Sequence, residues 1–414
     1  MNRFRVKLFL AVLCVLISCV RAEESRPAVA EVTLPKPVLP QAVAAVLDAA
    51  IPTIPYTFSC DNGLYATLTA MTSFKTPDLK GEQKLKLKVY GFKKDLEVRA
   101  MLQDHPAPLV VIFLGLASKS KDPLARLWES QLYEAGCHVM TFDSIFRSSF
   151  NKSSNHGVAG NLEMEAISAA NVINSFEQHA LLDGKVTKLG LLGASYGGIL
   201  ALNFARLAKA NKITLKPDRV LVFSPPVSMH VSATLLDKMY DEDRSKYGIL
   251  DLWKMKGHEP VSGGKAIPFT DSLMRAGIGY VFHDDLVDAI NTSKDVYKYE
   301  LPDLPQDGNG GDKHRYAFSR FIEQVVFPYW QDKKRVGSLE DLWGFGDLGK
   351  LLPQTGDNVH VVLTADDPLN DPILLKYVQR DAPPGRLTVL PRGGHLGYLG
   401  TEWARQRVLA MFKE

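Results

Sequence analysis

At 414 residues the chain can bury a large core and is long enough for two or three domain-sized units. With 46% apolar and 23% charged residues it has the make-up of an ordinary globular protein, which excludes wholesale disorder. The net charge of +3 is small and the basic residues are scattered, which excludes a nucleic-acid-binding stripe; Lys93-Lys94 and Lys333-Lys334-Arg335 read as solvated faces.

At the N-terminus, Arg3, Arg5 and Lys7 precede an apolar run from Leu8 to Val20. That run is short for a membrane span and fits an export signal. Val20-Arg21-Ala22 ahead of Glu23-Glu24 predicts cleavage after Ala22, so residues 1–22 are read as a signal peptide and the protein as exported, periplasmic or secreted. Leu16-Ile17-Ser18-Cys19 also resembles the bacterial lipoprotein signal, in which Cys19 would carry the lipid. Contact with a membrane is expected only through that anchor. Cys14 and Cys19 lie in the signal, which leaves Cys60 and Cys137. In an oxidising compartment these two could pair, a closure worth roughly 4–5 kcal/mol on the entropic model. Cys137 reads equally as a small buried hydrophobe at the start of a strand. No Cys or His spacing resembles a metal site, and no metal is expected.

Residues 23–107 are read as an Ala-, Val- and Pro-rich arm followed by edge strands over Leu64–Phe74, Lys84–Phe92 and Leu96–Leu102. From Pro108 strands alternate with helices: a strand at Leu109–Leu114, a helix from Pro123 to Ala135, a strand at His138–Phe142, and a helix from Asn161 to His179. Lys188–Leu192 and Arg219–Ser224 are the next strands. Strands that are apolar throughout and separated by helices imply a mostly parallel central sheet with helices on both faces. The alternation stops at Pro225-Pro226. Residues 226–354 are read as a mostly helical insertion with charged helical stretches at Ala233–Asp243 and Arg315–Gln331, a Gly308-Asn309-Gly310-Gly311 turn, and aromatics such as Trp253, Phe282, Phe318 and Trp330. An insertion above a sheet mouth shapes a pocket. The pattern resumes over residues 355–414 with strands at Val359–Thr364 and Arg386–Leu390, a helix near Pro372–Gln379 and a closing amphipathic helix.

The chemistry centres on Gly193-Ala194-Ser195-Tyr196-Gly197-Gly198, placed where an apolar strand gives way to a helical pattern. A serine at such a corner is pushed into a strained, exposed pose, and the glycines stand where side chains would collide. The following helix points its amide end at a developing negative charge. A neutral hydroxyl is a poor nucleophile and needs a base. His395 suits that part, since histidine titrates near working pH and here follows Gly393-Gly394 soon after the last strand. A carboxylate orients such a ring. Asp366 and Asp367 both stand at a strand exit, with Asp371 just beyond, whereas Ser224-Pro225-Pro226 offers no carboxylate.

In this order of serine, acid and histidine, the chain resembles the α/β-hydrolases over residues 108–224 and 358–414. The resemblance implies an α/β-hydrolase fold with a helical cap inserted after the sixth strand. It assigns Ser195 as nucleophile, Asp367 as acid (it precedes Pro368-Leu369; Asp366 is the alternative) and His395 as base. It implies oxyanion donors at the backbone amides of Tyr196 and Leu116, the latter in a Leu114-Gly115-Leu116 loop where relatives often have His-Gly. The expected reaction is cleavage of an ester, or a related acyl bond, in a small-molecule substrate through an acyl-Ser195 intermediate with no cofactor. A peptidase, thioesterase or acyltransferase would use the same three residues, and a non-catalytic binding protein on this fold is the rival.

Overall fold

The computed structural model describes residues 55–74, 77–244, 261–262, 265–266, 270–298 and 317–413. All of these lie in the unit Gln41–Glu414. The expected signal segment with Cys19, the 23–54 arm, Trp253 and the 308–311 turn fall outside the described residues. No described helix is long and apolar enough to cross a membrane.

The chain first forms a helix, α1 (Gly63–Ser73), where the sequence suggested an edge strand. The reason is at its start: the Asn62 side chain accepts a hydrogen bond from the Tyr65 amide and caps the first turn. Leu64 and Leu68 then fall one turn apart on a face that packs against later helices. Two strands follow, β1 (Gln83–Leu87) and β2 (Leu96–Met101), paired antiparallel with Leu85 opposite Val98.

The remaining strands are β3 (Ala107–Phe113), β4 (His138–Thr141), β5 (Val186–Ala194), β6 (Arg219–Phe223), β7 (Val359–Thr364) and β8 (Leu387–Leu390). They join β1 and β2 in one sheet of order β1-β2-β4-β3-β5-β6-β7-β8. From β4 to β8 every pairing is parallel.

The apolar runs are continuous because both faces of the sheet are covered. In β3, Leu109, Val111 and Phe113 enter one core and Val110 and Ile112 the other. The same alternation continues in β6, where Val220 and Val222 part from Leu221 and Phe223. Helices α3 (Leu162–Glu177) and α4 (Tyr196–Lys209) cover the first face through Ile173, Phe176, Leu202 and Phe204. Helices α2 (Pro123–Glu134) and α8 (Glu402–Phe412) cover the second through Trp128, Leu132, Trp403 and Val408. Each such fully buried side chain contributes roughly 1.5–3 kcal/mol of transfer free energy.

Between β6 and β7 the described residues are almost wholly helical, led by α5 (Met229–Arg244) and α6 (Asp271–Tyr297). A third helical run from Phe318 to Asp332 carries a π-helical stretch at Ile322–Val326. Helix α7 (Pro372–Asp381) follows β7, and the Asp371 side chain caps it. Cys60 and Cys137 are not bridged: the Cys60 thiol faces the Asn62 carbonyl and the Cys137 thiol that of Phe412.

Candidate active site

At the C-terminal end of β5 the chain turns into α4 within one residue, and Ser195 carries the strain, with φ 53° and ψ −123°. Glycines flank it because backbone fills the space. A Cβ on Gly197 would lie 2.2 Å from the Phe113 carbonyl oxygen, and one on Gly193 would lie 2.6 Å from that of Gly197. The Ser195 amide donates to the Phe223 carbonyl at 2.9 Å, which locks the corner onto β6. The corner thus holds an 8%-exposed hydroxyl above the sheet at the amide end of α4.

His395 arrives from the loop after β8, with its ring only 5% exposed. Its Nε2 lies 2.9 Å from Ser195 Oγ and its Nδ1 lies 2.8 Å from Asp367 Oδ2. An ionised carboxylate only accepts, so Nδ1 carries the proton of the neutral ring and Nε2 is left to accept from the serine hydroxyl. Asp367 is itself held: Oδ1 accepts from the Leu369 amide at 2.9 Å and Oδ2 from Asn370 Nδ2 at 3.2 Å. Asn370 in turn accepts from the Val227 amide, which ties the acid loop to the loop after β6.

The alternative acid, Asp366, points elsewhere. Its carboxylate accepts from the amides of Gly393 and Gly394, so it grips the backbone of the histidine loop and not the ring. Leu116 lines the same cavity as Ser195, Tyr196 and His395. A Cβ on Gly115 would sit 3.6 Å from the Cβ of Ser195, which brings the β3 loop against that serine. That loop is secured to the loop after β4: the Asp143 carboxylate accepts from the Ser120 amide and hydroxyl, both at 2.8 Å, and the Ser144 amide donates to the Ser118 carbonyl.

Two features escape a reading of the sequence. The phenol of Tyr196 donates to Glu165, reaching Oε1 at 2.9 Å and Oε2 at 2.8 Å. Glu165 is fully buried beneath the corner, and burial pushes its carboxyl up to about 7. Burial and the neighbouring Glu165 charge raise the Tyr196 phenol well above its ordinary value, so it stays a donor. The second is Thr67 of α1, whose hydroxyl accepts from the His395 amide at 2.8 Å. No local motif marks either residue, since Glu165 reads as a polar helix position and Thr67 as part of an edge segment.

The other described histidines stay apart from this chain of hydrogen bonds. His156 is buried against Ser168 Oγ and held neutral by burial, its titration pushed down to about 3. His230 stacks on Trp343, and His283 lies 3.2 Å from Asp237. His258 and His314 fall outside the described residues. The Phe146–Ser149 loop packs behind Tyr196, with the Phe146 ring edge-on to it at 5.2 Å. Among the described residues, no cluster of three His, Cys, Asp or Glu side chains could hold a metal.

The space over Ser195, open solvent at its mouth included, is about 360 Å³. Its walls are Met229, Ala233 and Leu236 of α5, Phe282 of α6, Phe318, and Leu369 of the acid loop. Ser232 also lines it, but that hydroxyl donates to the Leu369 carbonyl at 2.6 Å.

No protein-family model matches the chain. No curated protein sequence matches it either. Among solved structures it is similar to naproxen esterase (carboxylesterase NP) from Bacillus subtilis, at 14% identity and a TM-score of 0.42 over 85% of this chain and 98% of that one. It is similar to an esterase of Pyrococcus furiosus at 11% identity and a TM-score of 0.44, over 84% of this chain and 91% of that one. A proline iminopeptidase of Mycobacterium smegmatis matches at 13% identity and a TM-score of 0.41, over 80% and 97%. By its strand order, and by the strained turn that ends its fifth strand, this chain has the α/β-hydrolase fold.

Proposed function

We propose that the protein is a serine hydrolase that cleaves carboxylic esters, or closely related acyl bonds, through an acyl-Ser195 intermediate. The observation that carries this reading is the hydrogen-bonded chain from Ser195 Oγ through His395 to Asp367 at the strained corner. Ser195 Oγ attacks the acyl carbon while its proton passes to His395 Nε2. The carbonyl oxygen becomes an oxyanion, facing the amides of Tyr196 and Leu116. Collapse breaks the bond to the alkoxide, which leaves as the alcohol with the proton from Nε2. Water then attacks the acyl-serine, gives a proton to Nε2, and the acid departs as Ser195 recovers its own. Asp367 holds the ring and offsets the charge of the imidazolium in both halves. Nothing in this sequence of steps calls on a metal or organic cofactor.

The walls of the cavity describe the acyl group. Among the described lining residues there is no Asp, Glu, Lys or Arg, and Ser232 is already committed. An uncharged, apolar acyl group is the chemistry that matches, since an unpaired charge there would lose its hydration without compensation. The test is hydrolysis of a short p-nitrophenyl ester. Wild type should turn over, and His395→Ala should lose about 10⁴-fold or more in kcat with the fold unchanged by circular dichroism. Undiminished turnover by His395→Ala would contradict the base assignment.

A further inference from the structure

The loop that carries His395 includes one residue, Leu396, in a conformation that a side chain disfavours. Gly393 and Gly394 have φ of 139° and 57°, and Leu396, directly after the histidine, has φ 70°. A leucine in the left-handed region costs energy and persists only where its surroundings over-determine it. Those surroundings come from three places. Asp366 takes the amides of Gly393 and Gly394, Thr364 Oγ1 donates to the Gly394 carbonyl at 2.8 Å, and Thr67 Oγ1 takes the amide of His395. Three consecutive amides, 393 to 395, therefore end on side chains. Two of the anchoring side chains belong to β7 and its exit; Thr67 belongs to α1, 328 positions away from His395 in sequence.

Helix α1 packs against this loop backbone to backbone. A Cβ on Gly394 would fall 2.4 Å from the Gly63 carbonyl oxygen and 2.7 Å from Thr67 Oγ1. One on Gly397 would fall 2.6 Å from the Ala66 carbonyl oxygen, and one on Gly63 would fall 2.1 Å from that of Asp366. The first two turns of α1 thus press on the acid loop and the base loop together. The Thr67 hydroxyl cannot swing away, because it donates to the Gly63 carbonyl at 2.6 Å while it accepts from His395. On its other side α1 meets the insertion: Asn62 Nδ2 reaches Asp271 at the start of α6, and Leu64 and Leu68 pack with Leu236 and Leu369 of the acyl cavity.

We propose that Thr67 is a positioning residue for His395, and that α1 is a working part of the hydrolytic site rather than an appendage of the sheet. It acts through the histidine backbone. With the amide of His395 fixed, the ring stands in line between Ser195 and Asp367; without it, the glycine-rich loop has other conformations open to it. The proposal rests on the hydrolase reading above, and its effect falls on kcat. A displacement on the order of 1 Å in a reacting group costs about 10²-fold in rate.

The experiment compares Thr67→Val, which keeps the shape but cannot accept the amide, with Thr67→Ser, which keeps the oxygen. The expected result for Thr67→Val is a fall of roughly 10- to 100-fold in kcat on a p-nitrophenyl ester with KM changed less than about threefold. Thr67→Ser should restore most of the rate. In parallel, the downfield proton resonance of the His395 Nδ1–H···Asp367 hydrogen bond is followed by NMR, which needs no substrate. It should shift or broaden in Thr67→Val and return in Thr67→Ser. A Thr67→Val protein with wild-type kcat and an unmoved resonance overturns the proposal, as does an equal loss in Thr67→Val and Thr67→Ser. If Thr67→Val fails to fold, Asp366→Asn, which weakens the same loop from its other side, must show the same kcat loss and resonance change or the proposal falls. A wild type that hydrolyses no ester defeats the hydrolase reading alone; the resonance still decides the role of Thr67.

Discussion

Glu165 lies beneath the strained corner, and burial changes its chemistry. A carboxyl buried under the nucleophile corner and titrating at about 7, against an ordinary 4.5, holds more protons in the folded state than in the unfolded one between those values. Its contribution to stability is therefore fully present below about pH 4.5 and is lost as the pH rises through 7. The change is on the order of 3 kcal/mol. Glu129, pushed to about 8 by burial, acts in the same direction, while the neutral buried His156 acts oppositely at lower pH. Substituting Glu165 alone isolates its share. We predict that the stability of Glu165→Gln relative to wild type grows between pH 5 and pH 8 in denaturant titrations; a difference that does not vary with pH would contradict the buried-acid account. That Ser195, His395 and Asp367 would be brought together was legible because each stands at a strand end beside glycine or proline punctuation. Glu165 and Thr67 were not legible. Their parts depend on which helix face meets which loop, and nothing local in the sequence records that.

At the scale of elements, the corner between β5 and α4 depends on close approach of backbone. A Cβ on Gly197 meets the carbonyl oxygens of Phe113 and Leu114 at 2.2 and 2.4 Å, so the start of α4 and the end of β3 would have to move apart. Backbone cannot yield as a flexible side chain does. Gly197→Ala is expected to lower Tm by roughly 3–5 °C, the equivalent of about 3 kcal/mol in a unit of this size, and to distort the Ser195 corner. Wild-type stability and activity in that variant would show that the turn is looser than described. The parallel strands were legible as elements because burial on both faces leaves continuous apolar runs in β3, β5, β6 and β7. Helix α1 was misread as a strand. Its eleven residues are rich in small and apolar types on most sides, because its faces meet the histidine loop, the acid loop and α6 together, and the 3.6-residue period is blurred.

Across the whole molecule the site is assembled from segments far apart in sequence: the corner after β5, the acid and base loops after β7 and β8, α1 from before the sheet, and the walls supplied by the helices between β6 and β7. Helices prevail among the described residues between β6 and β7, and the charged stretch Ala233–Asp243 falls within α5. Which aromatics face Ser195 was not visible in the sequence, and of those named in advance Phe282 and Phe318 line the cavity while Trp330 donates to the Val158 carbonyl instead. If the apolar walls select the acyl group, each added methylene that finds room should raise kcat/KM about fourfold, the equivalent of roughly 0.8 kcal/mol. We predict that rise along a series of p-nitrophenyl esters from acetate towards octanoate, and a shorter optimum in Ala233→Leu, which narrows the cavity from α5. A flat profile with chain length, unchanged in Ala233→Leu, would show that the acyl group lies elsewhere.

On the proposed mechanism the fold makes Ser195 nucleophilic. Intact-mass and peptide mass spectrometry after treatment with a fluorophosphonate tests it most directly. The expected result is a single adduct, located on Ser195 and absent from both Ser195→Ala and His395→Ala. A wild-type protein that takes up no probe, or an adduct on another serine that persists in Ser195→Ala, would contradict it.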